Sequence, residues 1–352
     1  MTSSPDLFRR LGALWTGRLE PVRDASGRVA PRGLCEKRFL DVNGARQGMF
    51  LRGTDVTNPV LLYLHGGLPE YFLTERRPTP LEDHFTVAWW DQRGAGLSYD
   101  SSSPRTSVTT EQCILDTFSV THYLQERFGQ DRIYLMGHSG GSFIGLQAVS
   151  QRPELYAAYL GMAQMVNQLS SETMAYEFMV AEYTKRHDHT MVKRLTAAPV
   201  SEAHGTPQAY LAVRDEAMHR LGVGTTHDMR SVVTGVFLPS LASPQYSVAE
   251  KVGLWRGKFA SGVSALWDDM LSTDLAERVP SLDVPAYFLH GVFDRTCSYD
   301  LARDYFQRLQ APVKGFYTFD HSAHSPIFEE PAKAGRIMRD DVLHAAVRLA
   351  DG

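Results

Sequence analysis

The sequence predicts an α/β fold, a mostly parallel central sheet flanked by helices, with a helical segment inserted late in the chain. Three observations carry this. Short apolar runs suited to buried strands alternate with helix-period segments over the first half. Between about Val166 and Pro280 the alternation stops and helix-period segments follow one another. It resumes beyond Pro280 with two more apolar runs and a closing helix. The expected organisation is core at 1–165, an inserted helical lid or cap at 166–280, and returning core at 281–352.

The elements are expected in this order. Phe39 to Val42 and Met49 to Arg52 form an antiparallel pair turning at Asn43-Gly44. Val60-Leu61-Leu62-Tyr63-Leu64 is a buried strand that runs into His65-Gly66-Gly67, and Phe85 to Trp90 is the next strand. Asp91 and Arg93 follow it, read as an ion pair that fixes their loop. Thr109 to Phe128 is a helix opened by a Thr109/Gln112 capping box, with Ile114, Phe118, Thr121, Leu124 and Phe128 on one face. Ile133 to Met136 is a strand, Phe143 to Val149 a helix and Leu155 to Leu160 a strand. In the inserted stretch, Thr173 to Lys185 and Tyr210 to Arg220 have helical period, with hinges near Asn167 and Val279-Pro280. Pro285 to Gly291 and Val313 to Phe319 are the last strands, and Pro331 to Leu349 closes the domain as a helix.

Composition narrows the function. At 352 residues the chain exceeds a single typical domain, and 43% hydrophobic with 22% charged residues is the balance of an ordinary globular protein. A net charge of −4 with no Lys/Arg block argues against a nucleic-acid surface. Cys35, Cys113 and Cys297 are too few and too scattered for a disulfide framework or a zinc site. Cys297, close to Asp294, is read as a buried inert thiol. No apolar run approaches the ~18 residues of a spanning helix, and the apolar stretch between Arg10 and Arg18 is too short for a secretion signal. A cytoplasmic protein without membrane partners is expected. His187 and His189 stand two apart, on different helix faces and without a third ligand, so no metal is expected.

The chemistry-bearing motif is Gly137-His138-Ser139-Gly140-Gly141, set between a strand-like and a helix-like run. In that context Gly-x-Ser-x-Gly is a nucleophile elbow: the serine sits in strained backbone geometry and bulk two residues before or after it would clash. The turn aims the serine oxygen over a helix N-terminus, where unpaired N–H groups favour negative charge. Asp294 lies just past one strand and His324 past the next, in the order nucleophile, acid, base. Loops at the carboxyl ends of parallel strands converge on one crevice, so the three groups leave the sheet on one side. Asp320 and Asp300 compete with Asp294, and His321 with His324; Asp320, four residues before His324, is too tethered to orient that ring from behind. The oxyanion donors are expected to be the N–H groups of Gly67 and Gly140, with Leu68 as the alternative to Gly67. His65 is read as a structural histidine bracing its loop.

These pieces resemble an α/β-hydrolase of the prolyl iminopeptidase-like branch. They are His65-Gly66-Gly67, the branch-specific Asp91-Gln92-Arg93-Gly94-Ala95-Gly96-Leu97-Ser98, Gly137 to Gly141, Gly291 to Asp294, and Ser322-Ala323-His324-Ser325-Pro326. The resemblance implies Ser139 as nucleophile, Asp294 as acid, His324 as base, and no cofactor. Two departures fall at the substrate-facing rim: Leu68-Pro69-Glu70 stands where the family's peptidases carry Pro-Gly, and Gly140 stands where they carry Trp. Gly161 to Asn167 and the Ser-Ala-His-Ser-Pro loop look like a bacterial subgroup with mostly unassigned substrates. The expected partner is a small-molecule or short peptide substrate. An aminopeptidase is the leading reading, with Glu172, Tyr176 and Glu177 as candidates to meet the substrate amine at the crevice mouth. Trp255, Phe259, Trp267 and Met270 are candidates to line the crevice. The alternatives are an esterase or acyl hydrolase for a bulky small molecule, and a non-hydrolytic protein of the same fold, either a cofactor-free lyase or a binding protein.

Overall fold

The computed structural model describes residues 17–24, 26–102, 107–261 and 264–351. Its sheet is built from β1 (Leu34–Val42), β2 (Ala45–Gly53), β3 (Val60–Leu64), β4 (Thr86–Asp91), β5 (Ile133–His138), β6 (Tyr156–Met162), β7 (Ala286–Gly291) and β8 (Lys314–Phe319). The spatial order is β1-β2-β4-β3-β5-β6-β7-β8. β1–β2 and β2–β4 are antiparallel and every later pair is parallel. The first hairpin turns where the sequence places it, with Asn43 at φ +49° and Gly44 at φ +74°. Two successive left-handed residues match the right-handed twist of the flanking strands.

β3 shows why the parallel strands read as unbroken apolar runs. Leu62 and Leu64 join the core on one face of the sheet, Leu61 and Tyr63 the core on the other, and all are buried. With helices covering both faces, every side chain along the strand leaves water. On the first face lie α1 (Thr110–Phe128) and α2 (Gly140–Gln151). The α1 capping box is half made: Thr109 accepts from the Gln112 N–H, while the Gln112 amide turns to Asp116.

That Asp116 corrects the expected Asp91–Arg93 pair. Arg93 forks onto the buried Asp116 carboxylate at 2.7 and 2.9 Å. Asn43 and Gln47 donate to the same carboxylate, which ties the β1–β2 turn, the loop after β4 and α1 together. Asp91 instead accepts the Leu97 N–H at 2.8 Å. Burial pushes its carboxyl up to about 8, so it bridges the loop largely uncharged.

Between β6 and β7 the described residues form helices: α3 (Gln168–Lys185), α4 (His189–Thr196), α5 (Gln208–Leu221), α6 (Val248–Ser261), α7 (Ala265–Ser272) and α8 (Leu275–Arg278). The first three enclose a core of their own, including Met179, Tyr183, Leu195, Tyr210 and Met218. The two ends of the insertion meet, the Leu275 N–H donating to the Val166 carbonyl at 2.9 Å. α6 lies close on the loop after β4: a Cβ at Gly257 would fall 2.6 Å from the Gly94 carbonyl oxygen, and one at Gly253 3.1 Å from that of Gly96. His187 ends α3 at φ +58°. Among the described residues no helix is long and apolar enough to cross a membrane.

After β7 comes α9 (Tyr299–Arg308), and after β8 comes α10 (Pro331–Asp340). The closing helix is therefore shorter than its periodicity suggests. The buried Asp341 carboxylate takes the Tyr317 hydroxyl at 2.8 Å and the N–H groups of Arg348 and Leu349, each at 2.9 Å. The chain turns back at Ala345, φ +48°, to deliver those donors.

Candidate active site

Ser139 links β5 to α2 at φ +54°, ψ −122°. A non-glycine residue there stores about 1–3 kcal/mol of strain, which the neighbours must hold. They hold it by contact. A Cβ at Gly137 would lie 2.6 Å from the Gly141 carbonyl oxygen, and one at Gly141 2.1 Å from that of Leu64. The Ser139 N–H donates to Met162 O at 3.1 Å, and its carbonyl accepts the Ser142 hydroxyl at 2.6 Å. β3, β5 and β6 thus all pin the turn.

The loop after β3 passes over the serine. A Cβ at Gly66 would come within 2.8 Å of Ser139 Cβ and 3.2 Å of its Oγ, so only glycine fits. His65 braces this loop: its Nε2 accepts the Gln92 N–H at 3.0 Å, and its Nδ1 donates to Gly66 O at 2.7 Å. Burial pushes its pKa down to about 4, which keeps the ring neutral as that pattern requires. Gly67 follows, exposed at the rim, with the Lys258 ammonium 3.2 Å from where its Cβ would be. Gly140 opens α2, where first-turn N–H groups lack intrahelical acceptors. Met270 Cε lies 3.1 Å from a Cβ placed on Gly140, so Met270 reaches the elbow.

Asp294, fully buried beyond β7, accepts His324 Nδ1–H at 2.8 Å with Oδ2. Its Oδ1 accepts the N–H groups of Thr296 and Cys297 at 2.8 and 3.1 Å. Burial alone would raise its pKa, but the His324 and His290 rings hold the carboxyl well below its ordinary range. His324 lies below its ordinary 6.5: burial outweighs the pull of Asp294. The pair therefore rests as carboxylate and neutral imidazole, with Nδ1 committed to Asp294 and Nε2 left unprotonated. The competitors lie elsewhere. His321 is exposed, Asp320 faces Lys333 at 3.8 Å, and Asp300 faces Arg295 at 3.9 Å.

The loop that carries His324 is fixed from two sides. His138 Nε2–H donates to the His324 carbonyl at 2.8 Å, which joins the Ser139 turn to the loop that carries His324. Glu329 accepts the N–H groups of Ala323 and Ser325, flanking His324, and that of His227 from the insertion. Cys297 is buried, as expected, and also faces Ser139, its Sγ 3.9 Å from Ser139 Oγ and 3.8 Å from Gln168 Oε1. Burial pushes that thiol up, so it remains protonated.

The expected amine ligands need correction. Glu172 is fully buried and forked by Arg214, with contacts of 2.6 and 2.7 Å; Tyr210 and Gln168 also donate to it. Its charge is already neutralised. Glu177 points to solvent, and Tyr176 packs edge-on against Tyr210 in the insertion's own core. Trp255 donates to Ser240 and packs half-buried against the core beside Phe237 and the exposed Phe259. Trp267 packs half-buried against the main core, its indole claimed by packing. A carboxylate missed by the helical pattern is Asp215, with 48% of its side chain exposed and one oxygen on Arg214 at 3.0 Å. Burial works to raise its pKa, and the charges of Lys258, Arg214 and His219 hold it below the ordinary range. Among the described residues no cluster of metal-ligating side chains is present.

Residues 59–221 match the family model described as alpha/beta hydrolase fold. The probable aminopeptidase YbaC of Bacillus subtilis (strain 168) is 33% identical over 306 residues, spanning 86% of this chain and 94% of that one. Among solved structures, a proline iminopeptidase-related protein from Thermus thermophilus is similar at 20% identity with a TM-score of 0.62, over 89% of this chain and 99% of its own. The proline iminopeptidase of Mycobacterium smegmatis is similar at 14% identity and TM-score 0.61, over 88% and 98% of the two chains. At such identities these two structures speak to fold. The chain belongs to the α/β-hydrolase family.

Proposed function

We propose that the protein is a serine hydrolase that acts through an acyl-enzyme, with removal of an N-terminal residue from a short peptide or aminoacyl amide as its leading reaction. The observation that carries this is the strained Ser139 at the head of α2, tied through His138 to the loop that holds His324 on Asp294. In this reading His324 Nε2 takes the Ser139 Oγ proton as the oxygen bonds to the substrate carbonyl carbon. The oxyanion forms against the N–H groups of Gly67 and Gly140. The imidazolium passes its proton to the leaving amine as the C–N bond breaks, and water, activated in the same way, releases the acyl group and restores Ser139. Asp294 stays ionised throughout and stabilises the imidazolium. Residues 166–280 act as a lid that excludes water from the crevice.

An aminopeptidase must hold a substrate ammonium against a carboxylate. With Glu172 fully buried under Arg214, the half-exposed Asp215, which shares that arginine at 3.0 Å, takes over the role first given to Glu172 and Glu177. The test compares an aminoacyl arylamide with its N-acetylated form. Acetylation should lower kcat/KM at least tenfold, about 1.4 kcal/mol of transition-state binding. Asp215→Asn should erase most of that difference and leave the acetylated substrate little affected. Equal rates on the two substrates with wild-type enzyme would favour the esterase reading, which the neutralised Glu172 otherwise supports.

A further inference from the structure

His138, between the elbow glycine and the serine, is 1% exposed, yet both its ring nitrogens are engaged. Nε2 is 2.8 Å from the His324 carbonyl oxygen, which can only accept. Nδ1 is 2.6 Å from Glu70 Oε2, which also accepts the Tyr63 hydroxyl at 2.7 Å. With Nε2–H committed to the carbonyl, and with Glu70 outweighing burial to hold His138 above its ordinary range while His138 holds Glu70 below its own, the contact fits an imidazolium with Glu70 as its carboxylate counter-ion. The two histidine rings lie 4.8 Å apart at 43°.

We propose that the buried Glu70–His138 ion pair is a positioning device for His324: it clamps the base loop through the His324 carbonyl and keeps a positive charge against the base, which sets the pH at which that base becomes competent. This rests on the reading of His324 as base to Ser139. Burial works against both charges, and each partner outweighs it, so His138 lies above its ordinary range and Glu70 below. The groups facing His138 are Glu70, Tyr63 and His65 from β3 and its loop, Asp294 after β7, and His324 after β8. Those facing His324 are Asp294, His138, Glu70, and His219 from the insertion. Burial and the His138 charge disfavour protonation of His324; Asp294 and, from behind His138, Glu70 favour it.

Glu70→Gln isolates the charge. A glutamine whose amide nitrogen takes the place of Oε2 can donate both to His138 Nδ1 and to the Tyr63 hydroxyl oxygen. His138 then goes neutral with its remaining proton on Nε2, still on the His324 carbonyl. Losing the nearer positive charge lets His324 protonate more easily. The rate at which a fluorophosphonate modifies Ser139, followed against pH, reports this without a known substrate. Its acid limb should move to higher pH by about half a unit or more in Glu70→Gln. Nitrogen-15 NMR of histidine-labelled wild-type protein near neutral pH should show two N–H protons on His138, assigned by their loss in His138→Gln. An unmoved limb, or a single N–H on His138 in the wild type, overturns the proposal. Should Glu70→Gln fail to fold, the wild-type NMR result decides alone. Failure of wild-type Ser139 to react at all would contradict the hydrolase reading beneath it, a different outcome from a reactive serine with an unmoved limb.

Discussion

Ser139→Ala is expected to lower turnover of an aminoacyl arylamide by about 10⁴- to 10⁶-fold, about 5–8 kcal/mol of transition-state stabilisation. The whole covalent route disappears with the oxygen, and what remains is binding and the oxyanion donors. The fold should persist, since the turn is held by Gly137, Gly141 and the Met162 carbonyl rather than by the hydroxyl. Ser139→Gly adds a control: glycine accepts φ +54° at no steric cost, so this variant should be as inactive yet more stable, by about 1 kcal/mol. Thermal unfolding beside a rate assay checks both statements.

His324→Ala is expected to cost about 10⁴-fold or more, because the serine loses its only base and the leaving group its proton donor. His321→Ala should stay within about threefold of wild type, its exposed ring having no place in the proposed chemistry. The wild-type pH profile follows from the same geometry. The folded-state pKa of His324 is depressed, so the neutral, competent base persists as pH falls below 6.5, and kcat/KM declines only beneath that value. Inactive His321→Ala with near-normal His324→Ala would reverse the assignment.

Much of the sheet was legible because its signal is local. Val60–Leu64 and Ala286–Gly291 are buried on both faces and read as unbroken apolar runs, and Asn43-Gly44 announces its own turn. Gly137 and Gly141 were legible for a steric reason, since the elbow tolerates no Cβ there. What was not legible depends on partners distant in sequence. Glu172 looks like a free helix carboxylate until Arg214 folds onto it, and Arg93 looks like a partner for Asp91 until Asp116 on α1 takes it. The closing helix was overrun because Asp341 draws donors from seven and eight residues ahead. Trp255 and Phe259 have the composition of pocket lining, but aromatic identity carries no direction: Trp255 packs against the core with Phe237, and Phe259 is exposed. Glu70 stood in the sequence only as part of the stretch Leu68-Pro69-Glu70; its place needed the His138 ring beside it.

The most direct test of the account is the site of covalent capture. Wild-type protein is treated with a fluorophosphonate, its intact mass measured, and its peptides mapped. One adduct per chain, on the peptide that contains Ser139, formed at a rate that falls as His324 protonates, is the predicted result. An adduct on another residue, or a folded protein that takes none, would contradict it.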